Sequence, residues 1–159
     1  MPWPCRPETL DFIARAPAVF VNQADLPVTP ERLFEIFADV NTWPTWFDDM
    51  KRMTWLGSSK GGLGDSRLAE LGLITVAETF LAWEPGSRFC FRVDWASLPL
   101  LNALVEDYQI TALPDGRAHL DWRVHYELKL WARLIHPILR LVFGRQFKRT
   151  VAGLQRYLA

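Results

Sequence analysis

Glu78 sits in a stretch, LITVAETFLAW (73–83), whose other alternating positions include Val76, Phe80 and Ala82. In a strand those four side chains share one face. A carboxylate turned toward apolar surroundings loses hydration, and its pKa rises unless a base lies beside it. Such a group orients a ligand or exchanges a proton with one. The competing reading turns this face outward, or neutralises Glu78 with an arginine. Arg67 and Glu70 stand in the preceding segment, and Glu106, Asp107 and Tyr108 in a later one.

A second constellation is His119, Asp121, His125 and Glu127, four side chains at even spacing along one strand face. Histidine and carboxylate together suit zinc or iron. The opposite face holds Leu120, Trp122, Val124 and Tyr126, the obvious core side, so the histidine face is expected in water. Neither a metal nor another cofactor is expected. The loop GGLGDS (61–66) lacks the Lys–Ser/Thr of a phosphate cradle and reads as a hairpin loop. Cys5 and Cys90 fit neither a disulfide framework nor a zinc site. No Ser or Cys stands in a nucleophile context.

These groups must be positioned by a run of short elements. Residues 18–25 read as a first strand. Thr29 is placed to cap a helix, with Pro30 at its first position and Glu31 in its first turn. Leu33, Phe34, Ile36, Phe37 and Val40 share a face of it. Trp43, Trp46 and Phe47 recur at helical spacing around Pro44. The period then changes to two, with strands at 50–56, 66–71, 73–83, 88–95, 103–112 and 119–130. Turns fall at the glycine-rich loop 57–64, at Gly72, at Pro85–Gly86 and at Asp115–Gly116. In 88–95, Phe89, Phe91, Val93 and Trp95 are expected on one face.

Residues 131–158 read as one long helix, with a kink expected at His136–Pro137. Its stripe is Leu139, Phe143, Phe147, Val151, Leu154 and Leu158. A strand, two short helices, six strands and a long helix make an α+β arrangement. Only the last helix is long enough to fill the concave side of a curved, seven-stranded antiparallel sheet. Residues 1–16, with three prolines, are expected to be an irregular lead-in with one short turn at 7–14. Residues 17–159 then form one domain.

At 159 residues the chain is long enough for a well-buried core. Half of it is apolar and eight residues are Trp, which either fills a bulky core or lines a pocket. The formal charge is zero, which excludes broad attraction to nucleic acid. That zero is asymmetric. Residues 131–159 hold Arg133, Arg140, Arg145, Lys148, Arg149 and Arg156 without one acid, leaving 12 bases against 18 acids elsewhere. A basic helix on an acidic body is intramolecular complementarity or a docking face for anionic lipid. Leu130, Trp131, Leu134, Ile135, Ile138, Leu141 and Val142 cannot all face one way at 100° per residue. Some must cover a cavity mouth with the loop 98–104, pack on a second chain, or touch a membrane transiently. The N-terminal stretch lacks a basic region followed by an apolar run, and no stretch reaches 18 uncharged apolar residues. A cytoplasmic protein is expected.

Several of these blocks occur together in a known family: Val28–Thr29–Pro30, Phe34 and Phe37 with Asp39 and Trp43–Pro44–Trp46, Gly62–Gly64–Asp65, the turn Glu84–Pro85–Gly86–Ser87–Arg88, and Asp115–Gly116 before Leu120–Asp121–Trp122. From about residue 18 to 158 the chain resembles the START/Bet v 1-like (SRPBCC) superfamily, of the polyketide cyclase/dehydrase and lipid-transport type. The resemblance implies a helix-grip fold with a tunnel between sheet and helix. Members bind lipids, sterols, polyketides or other hydrophobic compounds; some are enzymes, and no universal catalytic motif marks them. The cavity wall is then expected from Trp43, Phe47, Glu78, Phe89, Phe91, Tyr108, Trp122, Phe143 and Phe147, with the glycine-rich loop at the mouth. The expected function is binding or carriage of a hydrophobic small molecule such as a lipid, polyketide or aromatic compound. The alternatives are a polyketide cyclase/aromatase-like enzyme, in which a buried acid or Tyr108 moves protons, and a membrane- or protein-docking module. No catalytic residue is assigned.

Overall fold

A computed structural model gives the fold of residues 1–58 and 60–159; Ser59, inside the expected glycine-rich loop, lies outside the described residues. The chain opens with a two-residue strand β1 (Trp3–Pro4) and a one-turn helix α1 (Phe12–Arg15). Strand β2 (Ala18–Leu26) leads into α2 (Pro30–Ala38). There the Thr29 hydroxyl accepts a hydrogen bond from the Arg32 amide, Pro30 occupies the first turn, and Leu33, Phe34, Ile36 and Phe37 are buried. A single turn, α3 (Trp43–Trp46), follows.

Strands β3 (Met50–Leu56), β4 (Ser66–Leu71), β5 (Thr75–Glu84), β6 (Arg88–Ala96), β7 (Leu101–Ala112) and β8 (Ala118–Leu128) complete the sheet. Its order is β2-β8-β7-β6-β5-β4-β3, every neighbour antiparallel, with β1 added against β6. The expected seven strands are present, and β1 makes an eighth. The last segment is not one helix. A 3₁₀ stretch, Leu130–Ile135, gives way at His136 to α4 (His136–Leu158), with Pro137 in its first turn. Proline cannot donate to a preceding turn, so the break falls where it stands.

Two bulges bend the sheet and reverse side-chain parity. Ala77 pairs with Trp95 but Glu78 with Val93, so Asp94 is extra on β6. Trp95 therefore leaves the face of Phe91 and Val93, and the buried Ala96 takes its place inside. Phe80 pairs with Phe91 but Ala82 with Cys90, which makes Leu81 the extra residue on β5. Ala82 turns to the outer face, and Trp83 joins Phe80 within. Both corrections have one cause: a bulge costs a single residue and shifts a period of two.

The lead-in is more ordered than its prolines suggest. β6 and β7 pair only between Arg88–Arg92 and Val105–Gln109. Beyond that they splay, and the arm enters the gap. The Cys5 amide donates to the Asp94 carbonyl at 2.9 Å and the Arg6 amide to the Asn102 carbonyl at 2.8 Å. Further on, Phe12 is wholly buried on the outer face of the sheet with Ala82, Cys90, Ala103 and Val105. Glu8 is buried there too, paired with Arg6 and Arg15.

The arm also reaches the strand face that carries the histidines, where Arg6 pairs with Glu127. His125 is buried rather than in water, its Nε2 has no partner among the described residues, and burial pushes its pKa down. His119 remains partly exposed, with Nδ1 2.6 Å from Asp25. Among the described residues no helix is long and apolar enough to cross a membrane.

Candidate functional site

Antiparallel order gathers the starts of β2, β3, β5 and β7, the ends of β4, β6 and β8, and the first turns of α4 at one end of the molecule. At that end α4 stands off the sheet, over a cavity of about 150 Å³. At the other end α4 closes down. A methyl added at Gly153 would collide with the Trp46 carbonyl oxygen, so glycine is what lets α4 cross α3 so closely. Val151 and Leu154 pack into the core there.

Most of the wall is apolar, from Phe20, Met50, Met53, Val76 and Val93 to Leu104, Val124, Leu139, Phe143 and Phe147. Two acids interrupt it. Glu78 and Glu106 both belong to the lining, brought from β5 and β7 by the inward face of each strand. Arg67 on β4 lies directly across from Glu78 and is wholly buried; its Nε donates to Glu78 Oε2 at 2.6 Å. Glu78 thus borders the cavity and is at the same time paired with an arginine. Burial pushes its pKa up, and Arg67 pulls only partly against that.

Arg67 sits one layer behind the wall, its guanidinium over Trp43 at 4.6 Å and over Phe80, Phe89 and Phe91 at 5.0–5.1 Å from their ring centres. Its two Nη groups have no hydrogen-bond acceptor among the described residues. The π faces of four rings take that place, a contact that gains strength away from water.

Glu106 is held differently. Tyr108 Oη and Trp122 Nε1 both donate to its Oε2 at 2.9 Å, and no cation among the described residues forms an ion pair with it. Burial, reinforced by the charge of Glu78, pushes its pKa up to about 7, with the two donors pulling the other way. Burial beside Glu106 in turn raises the pKa of Tyr108 well above the phenol range. In each carboxyl the protein occupies Oε2 and leaves Oε1 without a donor from any described residue.

Seven of the nine residues expected on the wall line the cavity: Trp43, Phe47, Glu78, Phe91, Tyr108, Phe143 and Phe147. Phe89 and Trp122 do not. Phe89 is committed to Arg67 and the ring cluster of Phe37, Phe80 and Trp83. Trp122 stands behind Tyr108, donates to Glu106 and packs edge-on against the wall residues Phe47 and Phe147. The described part of the glycine-rich loop does not line this cavity, because residues 57–58 and 60–64 lie at the opposite end of the β3–β4 hairpin. The turn at 71–74 takes the position expected of it, supplying Leu71 and Ile74. Glu106 was missed as a wall residue although the signal was present: it alternates with Leu104, Tyr108 and Ile110, as Glu78 does with its neighbours.

A family model described as polyketide cyclase / dehydrase and lipid transport matches residues 17–159. Uncharacterised proteins of Mycobacterium tuberculosis and Mycobacterium bovis are 35% identical over 156 residues, covering 98% of this chain and 93% of their own. That alignment, unlike the family match, runs into residues 1–16. Among solved structures, a START superfamily protein from Mycobacterium smegmatis superposes with a TM-score of 0.74 at 12% identity, covering 88% of this chain and 96% of its own. Ginseng major latex-like protein 151 from Panax ginseng gives 0.68 at 10%, covering 89% and 97%. At such identities the likeness speaks for the fold alone: a helix grip, with a sheet around a C-terminal helix.

Proposed function

Because the chain belongs to the polyketide cyclase / dehydrase and lipid transport family, we propose that it binds and carries a compact hydrophobic molecule with one hydrogen-bonding oxygen. The apolar body lies between α4 and the sheet, and the oxygen meets Glu106. What supports this reading is the pair of carboxyls, each with Oε2 held by the protein and Oε1 without a donor from any described residue, on a mostly apolar wall. A buried polar atom without a partner costs about 1–3 kcal/mol, which a ligand able to pair with it recovers. Near pH 7 Glu106 is partly protonated. Its proton belongs on Oε1, since Oε2 already accepts two hydrogen bonds, so the neutral acid offers a donor to a carbonyl or ether oxygen. A volume of about 150 Å³ is on the scale of cavities that take up benzene.

A proton-transfer enzyme is the weaker reading. Glu106 has a suitable pKa, but enolising a ketone also needs a donor for the developing oxyanion. Tyr108 donates to Glu106, the Tyr126 hydroxyl is shared with His136 and Arg140, and the Gln146 amide donates to the Asp48 carbonyl. Apart from Glu106 itself, which would be the base, the neutral donors on the described wall are committed, which supports carriage over catalysis.

The test compares 1-tetralone with tetralin, the same body with and without a carbonyl, by quenching of Trp emission. Both should saturate. Tetralone should bind about 5–10-fold more tightly at pH 5.5, in line with one hydrogen bond, and this advantage should vanish at pH 8.5. Absence of saturation by either compound refutes the cavity reading, and a pH-independent preference refutes the role of Glu106.

A further inference from the structure

The seven apolar side chains of 130–142 that exceed one stripe turn away from the cavity. None of them lines it, and all are exposed: Leu134 by 87%, Leu130 by 77%, Ile138 by 63%, with Trp131, Ile135, Leu141 and Val142 beside them. Leu139 and Phe143, on the opposite side of the same turns, form part of the cavity wall. One stretch of backbone therefore carries ligand-cavity residues on its inner side and bare hydrocarbon on its outer side. Leu73, at the tip of the β4–β5 turn, is 92% exposed, next to the cavity residue Ile74. Antiparallel order sets that tip at the same end of the molecule. A chain that leaves this much apolar surface exposed at one end has a use for it.

Charge identifies the occupant. From Lys129 to Ala159 the chain holds seven bases and no acid. Arg133 reaches Glu127 only at 3.8 Å, and Glu127 is already held by Arg6. Arg140 lies over Phe20 and donates to the Tyr126 hydroxyl, with no carboxylate partner among the described residues. Arg145 and Lys148 make no ion pair with a described residue. A second copy meeting this face by two-fold symmetry would set these cations against their own images. An anionic surface would be attracted by the same charges and accept the apolar residues.

We propose that the 3₁₀ stretch and the first turns of α4, with Leu73, dock in the plane of an anionic lipid bilayer. Leu130, Leu134, Ile138, Leu141 and Trp131 enter the boundary between headgroups and acyl chains, and Arg133, Arg145 and Lys148 meet lipid phosphates. The open end of the cavity then lies against hydrocarbon, so a hydrophobic molecule passes between bilayer and cavity without crossing water. This last consequence rests on the ligand reading above; the docking does not.

Co-sedimentation at 50 mM salt compares vesicles of phosphatidylcholine alone with vesicles containing three parts in ten of phosphatidylglycerol. The wild-type chain should pellet with the anionic vesicles only and be released as salt is raised, because exposed charges are screened within about 10 Å at 0.1 M. Leu134→Glu/Ile138→Glu and, separately, Arg145→Gln/Lys148→Gln should each weaken pelleting at least tenfold while leaving the melting temperature in place, since all four side chains are exposed. Tetralone titration without vesicles should be unchanged in both variants, which separates failure of docking from failure of ligand binding. Equal pelleting with both vesicle types, or full pelleting of the Leu134→Glu/Ile138→Glu variant, overturns the proposal. So does a dimer by light scattering that this variant dissociates, which would assign the face to a second copy.

Discussion

Tyr108 and Trp122 stack with ring centres 5.2 Å apart and planes 14° from parallel, and both aim their polar hydrogen at Oε2 of Glu106. Stacking fixes the two rings against each other and so fixes the carboxyl they hold. The orientation of Glu106 is therefore set by the core, and Oε1 is presented to the cavity whether or not a ligand is there.

Removing the charge at Glu106 should make stability less sensitive to pH. Its folded pKa of about 7 exceeds the unfolded value of roughly 4.3, so between the two the folded state binds the extra proton. Stability falls as pH rises through this window, and the penalty is absent below the unfolded pKa and complete above the folded one. Glu106→Gln keeps the shape and an acceptor for Tyr108 and Trp122. Its stability relative to the wild type should rise by about 3 kcal/mol between pH 4 and pH 8, read from urea midpoints at each pH. A parallel pH profile for the two proteins would mean that Glu106 does not titrate as its surroundings require.

The pair formed by Arg67 and Glu78 should behave as a unit. Arg67→Leu leaves a buried carboxylate without its cation and should cost about 3–5 kcal/mol. Adding Glu78→Gln should recover a large part of that, because the uncompensated charge is gone. Strict additivity of the two single changes in a double-mutant cycle would count against the coupling that the 2.6 Å contact implies.

Cys90 reports on the arm. It is wholly buried beneath Phe12, and burial together with the nearby Asp107 holds its thiol protonated. Phe12→Ala should destabilise by about 3–5 kcal/mol and open Cys90 to alkylation, measured with Cys5 replaced by Ala. Unaltered alkylation kinetics in that variant would show that the arm does not guard the outer face.

Much of this was legible in the sequence because local chemistry and global fold agree. Thr29–Pro30–Glu31 announces α2, and period-two alternation announces every long strand. What escaped was decided by single residues or by distance. Nothing in the sequence marks Leu81 or Asp94 as the extra residue of a bulge, so Ala82 and Trp95 were assigned to the wrong face. His125 reads as solvated because its burial is decided by packing on the outer face of the sheet, where the arm carries prolines that argue against structure. Strand parity places seven of the nine named side chains around the cavity, whereas Phe89 and Trp122 stand behind it with Arg67 and Glu106, partners that become visible only once the strands are paired.

The seating of the arm between β6 and β7 also constrains the order of folding. Cys5 and Arg6 bond to Asp94 and Asn102, and the Cys5 thiol points at the Leu101 carbonyl 96 positions away. The slot exists only after residues 88–109 have formed their hairpin, so the arm is a late clasp on a preassembled sheet. Loop closure over that span brings no reward until the sheet is there to receive it. The amides of Cys5 and Arg6 should accordingly open as a separate unit, exchanging hydrogen with solvent faster than the amides of β6 and β7 beneath them.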